Sequence, residues 1–182
     1  MAIKLSSAVV CFLLSMGLTL SCSKPKPMST TVRSVYYWST TLNIDYTKSA
    51  FIRRYDISRM YIRYFDVVTD ASGRAVPNAT LKFATCVPQG IDVVPTVFVM
   101  PECLRQDRQQ LAALIVKRVV QMNETNDVHN VREIQIDCDW TRSTRLLYAE
   151  FMQAMLGECH NRHLKLSSTI RLHQLAQTPP PA

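Results

Sequence analysis

The chain has 182 residues, of which 47% are hydrophobic and 19% are charged, and its formal net charge is +7. These fractions are typical of a globular protein and exclude a chain that is disordered throughout. The basic residues are scattered without a long basic run. The positive net charge can therefore attract anionic lipid headgroups or acidic polymers nonspecifically, and no nucleic-acid partner is predicted.

Residues 1–21 predict a lipoprotein signal peptide. Lys4 supplies a positive charge ahead of an apolar run, residues 8–20, that is too short for a lasting transmembrane helix. The segment LTLSC that ends at Cys22 resembles the lipobox of bacterial lipoproteins. The resemblance implies cleavage before Cys22, a diacylglycerol anchor on that cysteine, and a lipid membrane as partner. The predicted location is therefore the bacterial cell envelope, at the outer membrane, and residues 22–32 predict a lipidated tether rich in Pro, Ser and Lys.

Residues 33–182 predict one domain, in which strand patterns alternate with helix patterns. The strand patterns lie at residues 33–41, 58–68, 91–100, 131–140 and 164–175. The helix patterns lie between them, at residues 45–56, 105–124 and 143–163, and Asp45 or Thr47 is the expected cap of the first. Turn signals over residues 69–83 indicate a turn or a β-ribbon before the third strand.

This alternation predicts an α/β fold with right-handed parallel crossovers. The chain has only four glycines and no glycine-rich turn after a strand, which disfavours a nucleotide-binding doubly wound sheet. Polar residues at strand ends favour the N-terminal half of a (β/α)8 TIM-like barrel, with strands 1–5 in a partial barrel domain at residues 33–182. A whole barrel needs roughly 250 residues, so we expect a truncated one. The alternative is a small open five-stranded α/β sheet.

The fourth strand pattern ends in two carboxylates. Side chains two residues apart on a strand share a face, which groups Gln135, Asp137 and Asp139 on the fourth strand, Tyr61, Arg63 and Phe65 on the second, and Thr169, Arg171 and His173 on the fifth. A buried Asp137 needs a partner, and Arg63 or Arg171 is the expected one. Asp139 lies nearer the predicted barrel mouth and has the better claim to a functional role.

The segment IDCDWT resembles the fourth-strand signature of family 18 glycoside hydrolases, roughly D-x-D-x-D-W-E. Asp137, Asp139 and Trp140 match it in order, while Gln135 replaces the leading aspartate and Thr141 replaces the glutamate that is the family's general acid. The order of strand motifs along nearly all of the mature sequence also resembles a family of uncharacterised lipoproteins from Bacteroidales-type bacteria, for which glycosidase-like barrels are expected.

The resemblance implies carbohydrate processing in an intact relative. Asp137 and Asp139 are then the candidate catalytic residues, one as a neutral acid and the other as an ionised nucleophile or base. Trp38 and Trp140 are candidate platforms for a sugar ring. The predicted substrate-binding set is completed by Arg63, Arg171 and His173. With Thr141 in place of glutamate and half of the barrel rim missing, the chain alone is expected to be inactive.

Two further hypotheses use the same residues without catalysis. One is a glycan- or peptidoglycan-binding lipoprotein, and the other is a structural envelope protein whose half-barrel completes itself as a homodimer. No cofactor is predicted, and no metal either, because Asp137, Asp139 and His173 on two strands do not form a ligand-spacing signature. Cys138 is expected to pack as a small apolar residue, and no obligatory disulfide framework is predicted.

Overall fold

The computed structural model describes residues 31–177. The predicted signal peptide, Cys22 and most of the predicted tether lie outside the described residues, as do residues 178–182. Within residues 31–177, no helix combines the length and the apolar character that crossing a membrane requires.

The described chain forms eight strands and four α-helices. They follow one another as β1 (Ser34–Tyr37), β2 (Thr41–Leu42), α1 (Tyr46–Arg54), β3 (Arg59–Thr69), β4 (Ala75–Asn78), β5 (Lys82–Phe83), β6 (Asp92–Val99), α2 (Arg108–Thr125), β7 (Glu133–Asp137), α3 (Arg145–His160), β8 (Lys165–Ser168) and α4 (Leu172–Gln177). A short 3-10 helix, Pro101–Arg105, joins β6 to α2.

The central sheet is parallel and its strands stand in the order of the sequence, β1-β3-β6-β7-β8. The strand β4 folds back antiparallel to the end of β3, and β2 pairs with β5 in a separate two-stranded sheet. Right-handed crossovers between strands in sequential order place their helices on one face of the sheet. The predicted α/β class is therefore confirmed, and an open, mostly parallel sheet describes the part of the chain from 31 to 177.

The core lies between this sheet and its helices. The apolar residues of β3, β6 and β7 that face the helices are buried, among them Met60, Ile62, Val93, Val97, Ile134 and Ile136. They meet the buried stripes Leu111, Ile115, Val119 and Met122 of α2 and Tyr148, Phe151, Met155 and Cys159 of α3. Each fully buried side chain of this size contributes about 1.5–3 kcal/mol through burial, so this layer holds the sheet in place.

The capping residue of the first helix is confirmed. The Asp45 side chain accepts a hydrogen bond from the backbone N–H of Lys48 at 2.8 Å, which satisfies one of the free donors at the start of α1. Asp107 has the same role at the start of α2, where it accepts from the N–H of Gln110 at 3.0 Å. Short polar side chains thus set where both helices begin.

The predicted fifth strand is wrong in its second half. The strand β8 ends at Ser168, and the chain then turns into α4 instead of remaining extended to residue 175. The side-chain oxygen of Gln174 accepts from the N–H of Arg171 at 2.8 Å, and this bond stabilises the turn that opens the helix. Arg171 therefore follows the strand, and His173 lies within α4 rather than on a sheet face.

The second strand contains a β-bulge that the alternation of its residues does not show. In the register with β6, Arg63 is paired with Thr96 but Phe65 is paired with Val97, so one residue of β3 is skipped. An extra residue moves all later side chains to the opposite face. Phe65 consequently points to the helices, in contrast to its predicted grouping with Tyr61 and Arg63.

Candidate functional site

The face of the sheet opposite the helices is lined by polar and aromatic side chains. Paired residues of parallel strands point to the same side of a sheet. The register places Arg63, Thr96 and Gln135 in one row across β3, β6 and β7. Asp137 stands in the next row, paired with Phe98 of β6. The predicted grouping of Gln135 with Asp137, away from the helical layer, is therefore confirmed.

A hydrogen bond reaches across four strands of this face. The hydroxyl of Tyr36 on β1 donates to the side-chain oxygen of Gln135 on β7 at 3.0 Å, and Thr96 donates to the same oxygen at 3.4 Å. In a flat sheet β1 and β7 would be about 14 Å apart, at three interstrand spacings. Side chains standing upright at that separation do not meet, so these two lean toward one another, as side chains do on the inner side of a curved sheet, and we call this side the concave face.

Three stacked aromatic rings line the β1–β3 side of the concave face. The ring centroids of Tyr36 and Tyr61 lie 4.7 Å apart, and those of Tyr36 and Trp38 lie 5.8 Å apart with an angle of 12° between the planes. Tyr36 is 48% exposed and Trp38 is 45% exposed. About half of the surface of Trp38 is therefore open to solvent, and its role as a sugar platform stays a prediction.

Arg63 joins the aromatic group to a buried carboxylate. Its guanidinium carbon lies 5.7 Å from the centre of the Trp38 ring, within the range of a cation–π contact. The same guanidinium binds both carboxylate oxygens of Asp66, with 2.7 Å between Nε and Oδ1. The prediction that Arg63 pairs with Asp137 is therefore wrong. Asp66 was missed because only the bulge brings it to the concave face.

The two predicted catalytic carboxylates are held by different partners at the end of β7. Asp137 is 7% exposed and accepts a hydrogen bond from the hydroxyl of Thr169, while Arg171 does not reach it. Asp139, which is more exposed, forms an ion pair with Arg171. The structure thus brings Arg171 to the predicted acidic cluster, but on Asp139 and not on Asp137.

Trp140 is buried, which contradicts the prediction that it stacks on a sugar. The side chain is 1% exposed, and its ring stacks on Tyr148 of α3 with 5.7 Å between centroids. The side-chain amide of Gln174 donates to the backbone oxygens of Trp140 at 3.0 Å and of Cys138 at 3.4 Å. Through these hydrogen bonds, Gln174 connects α4 to the backbone that follows β7; this residue was not identified from the sequence.

Ion pairs also close the opposite end of the concave face. The Arg59 guanidinium lies 3.6 Å from a Glu133 oxygen and 3.8 Å from an Asp92 oxygen, and the Ser167 hydroxyl donates to Glu133 at 2.5 Å. These contacts link the beginnings of β3, β6, β7 and β8. They leave the half-exposed Tyr36 and Trp38 as the accessible rings between two polar ends.

Cys138, which lies beside the two carboxylates, is not a thiolate, and the described residues contain no cluster of ligands for a metal. Burial, followed by the negative charges of Asp139 and Asp137, raises the pKa of the Cys138 thiol to about 12, so this sulfur stays protonated at neutral pH. All four cysteines between residues 31 and 177 are unpaired. Within that range, three or more His, Cys, Asp or Glu side chains do not come together as a metal site.

Comparisons with known proteins add no assignment. No family model matches the chain, no curated protein is significantly similar to it in sequence, and no solved structure gives a significant match. Its function is therefore inferred from the residues of the concave face.

Proposed function

We propose that the concave face binds carbohydrate without hydrolysing it. The observation that carries the proposal is the stacked, half-exposed pair of Tyr36 and Trp38 beside Tyr61. Binding sites for small molecules combine aromatic walls with a few polar groups that fix orientation. A sugar ring has apolar C–H groups that suit an aromatic face and hydroxyls that need donors and acceptors. Arg63, which is partly exposed beside Trp38, supplies donors, and the hydroxyl of the half-exposed Tyr36, which donates to Gln135, can still accept.

The engagement of the carboxylates favours binding over hydrolysis. A general acid must hold a proton that it can give to the leaving oxygen. Asp139 is instead tied to Arg171, Asp66 is tied to Arg63, and Asp137 is buried as an acceptor for a hydroxyl. At the position of the family's glutamate, Thr141 accepts from or donates to the Ser143 hydroxyl at 2.9 Å, next to the start of α3. None of these four groups combines exposure with freedom from a partner.

The same proposal includes the finer description of the fold as the N-terminal half of a (β/α)8-type barrel. Three features support it: the sequential order of parallel strands, helices on one face, and the bond between Tyr36 and Gln135, which is expected where a sheet curves toward that side. In such barrels the chemistry lies at the carboxyl ends of the strands. Trp38, Asp137 and Asp139 all follow or end strands on that side.

The two tryptophans of the chain allow a direct test by fluorescence, because one is half exposed and the other buried. We expect chitooligosaccharides and glycan chains from peptidoglycan to shift the emission of the purified chain and to protect it from quenching by iodide. The variant Trp38→Phe retains only Trp140 and should lose both effects. An equal response in the wild type and in Trp38→Phe, or a failure of every glycan to protect Trp38, would remove the basis of the proposal.

A second candidate function is glycoside hydrolysis, favoured by the position of Asp137 and Asp139 at the carboxyl end of β7. Two carboxylates near a glycosidic bond suffice for this chemistry when one is protonated. In that case, the chain or an intact relative should release reducing sugar from a glycan, and Asp139→Asn should abolish the release without lowering thermal stability. Binding without release, in both wild type and Asp139→Asn, supports the noncatalytic proposal.

We also propose that the chain is an envelope lipoprotein anchored through Cys22. The support is the signal-like composition of residues 1–21 and the lipobox-like segment before that cysteine. In a bacterial host, the chain should incorporate a labelled fatty acid and fractionate with outer membranes. Cys22→Ser should prevent labelling and processing. Labelling that persists in this variant would place the anchor elsewhere. The homodimer stays a prediction, to be checked by sedimentation of the mature chain.

A further inference from the structure

An apolar cavity lies on the helical side of the sheet, away from the concave face. It has a volume of about 360 Å³ and is bounded by β3, β4 and α2. Its walls are mainly apolar and include Phe65, Val67, Val76, Leu111 and Ile115. This volume is near the lower end of the range for ligand pockets, roughly 300–1,000 Å³.

The cavity exists because one crossover has no helix. The other crossovers of the central sheet, β1 to β3, β6 to β7 and β7 to β8, contain α1, α2 and α3 respectively, whereas residues 70–91 between β3 and β6 form β4, β5 and turns. A helix in that position would cover the end of β3. The bulge turns Phe65 toward this uncovered region. The strand β4, which pairs with the end of β3, covers this region only partly, and the cavity is the part that stays uncovered.

Two cations at the rim of the cavity have no acidic partner. Lys117 and Arg118 of α2 both line it, and neither forms an ion pair with any residue in the described range 31–177. The NH1 atom of Arg118 donates to the neutral side chain of Gln121 at 3.3 Å, while its Nε atom is enclosed by protein. The charges of both cations are therefore not neutralised by the described residues, and at the rim of an apolar cavity the end of the Arg118 guanidinium can receive an anionic group.

We propose that this cavity binds an anionic amphiphile, with an acyl chain against Phe65 and Leu111 and a carboxylate on Arg118. The apolar walls match a hydrocarbon chain, whose burial is the main source of affinity. The unpartnered guanidinium matches a single anionic head, which it binds through charge-assisted hydrogen bonds. Leu114, exposed at the mouth, extends the apolar wall outward. The site is separate from the proposed carbohydrate face and does not depend on it.

The test compares decanoate, decanol and acetate by calorimetry on the purified full chain. Decanoate should bind at least about tenfold more tightly than decanol, because its carboxylate accepts charge-assisted hydrogen bonds from Arg118 and the neutral hydroxyl does not. Acetate, which lacks the chain, should not bind measurably. Partitioning of the ligands into lipid or detergent around the N-terminal segment does not saturate, so only saturable binding is compared, between ligands and between variants.

Four variants assign the two parts of the site. Arg118→Gln should bind decanoate as weakly as decanol, and Arg118→Lys should recover part of the preference. Val76→Phe, which fills the cavity from β4, should lose both ligands. Arg53→Gln, an exposed arginine on α1, is the matched control and should bind as the wild type does. Thermal melting checks that each variant is folded.

Either of two results would overturn the proposal. One is equal affinity for decanoate and decanol in the wild type, which would mean that Arg118 does not receive the head group. The other is saturable decanoate binding that survives Val76→Phe unchanged, which would place the ligand outside this cavity.

Discussion

The ion pair between Arg63 and Asp66 allows a strong test of how deeply the concave face is buried. The side chain of Asp66 is only 11% exposed and that of Arg63 is 28% exposed. Replacing Arg63 by methionine leaves a mostly buried carboxylate without its cation. Removal of one member of a buried pair costs about 3–5 kcal/mol. Because part of Asp66 still reaches water, we expect the lower end, about 3 kcal/mol of unfolding free energy.

The reverse change should cost less. In Asp66→Asn the Arg63 guanidinium can turn to solvent, and the asparagine oxygen can still accept one of its hydrogen bonds, so we expect a loss of about 1 kcal/mol. The double variant Arg63→Met/Asp66→Leu replaces both charges with apolar groups and should lie within about 1 kcal/mol of the wild type. The expected order of stability is therefore wild type and double variant first, Asp66→Asn next, Arg63→Met last.

Urea denaturation at neutral pH measures this order, with fluorescence of the tryptophans as the signal. Arg74→Met is the matched control, since Arg74 is 79% exposed and its pair with Asp70 spans a surface turn, with 3.3 Å between the charged atoms. Its cost should stay within about 0.5 kcal/mol. If Arg63→Met is no more harmful than Arg74→Met, then Asp66 is solvated and the burial of the concave face is refuted.

Three further predictions concern the other parts of the site. Trp140→Ala should lower the unfolding free energy by about 3–5 kcal/mol, because this side chain is buried, whereas Trp38→Ala should lower it by less than about 1 kcal/mol. Urea denaturation measures both losses, and equal losses would contradict the different burial of the two tryptophans. Burial raises the pKa of Cys138 from 9.0 to about 12, so the unfolded chain releases this proton first, and this thiol alone should lower stability by at most about 1.4 kcal/mol per pH unit as pH rises from 9 toward 12. Cys138→Ala should flatten that fall in denaturation series at increasing pH, and an unchanged slope would count against the burial of the thiol. Gln174→Ala should cost about 2 kcal/mol and speed amide hydrogen exchange throughout α4, whereas unaltered exchange would mean that this helix does not depend on its side-chain bonds.

The parts of the fold that follow from backbone periodicity could be predicted from the sequence. The near-continuous apolar run of β6 predicts a buried parallel strand. The helical spacing of Leu111 and Ile115 predicts an amphipathic helix. Alternation along β7 also assigns Gln135 and Asp137 to one face and Ile134 to the other, because side chains of a strand alternate with period two. These features depend only on local geometry, and they define the α/β class.

The errors arise where a contact distant in sequence decides the structure. A single extra residue after Arg63 reverses the side to which all later side chains of β3 point, so Asp66 replaces Phe65 on the concave face. The amino-acid sequence of β3 does not indicate this bulge. Residues 169–173 alternate like a strand, yet the strand ends at Ser168 and a helix begins at Leu172, in which Gln174 binds the backbone of Trp140. The orientation of Trp140 itself depends on Tyr148, which belongs to the following helix.

The two faces of the sheet differ in what can cover them, and this difference supports the proposed role of the concave one. The helical face is a continuous apolar layer, which only more protein or an acyl chain covers favourably. The concave face instead pairs its own polar groups, as in Arg63 with Asp66 and Tyr36 with Gln135. Buried polar groups that already have partners tolerate neighbouring water, whereas an apolar patch of similar size is prone to association. A face of this kind can stay open in an aqueous environment, and the rings of Tyr36 and Trp38 are then available to the apolar side of a sugar.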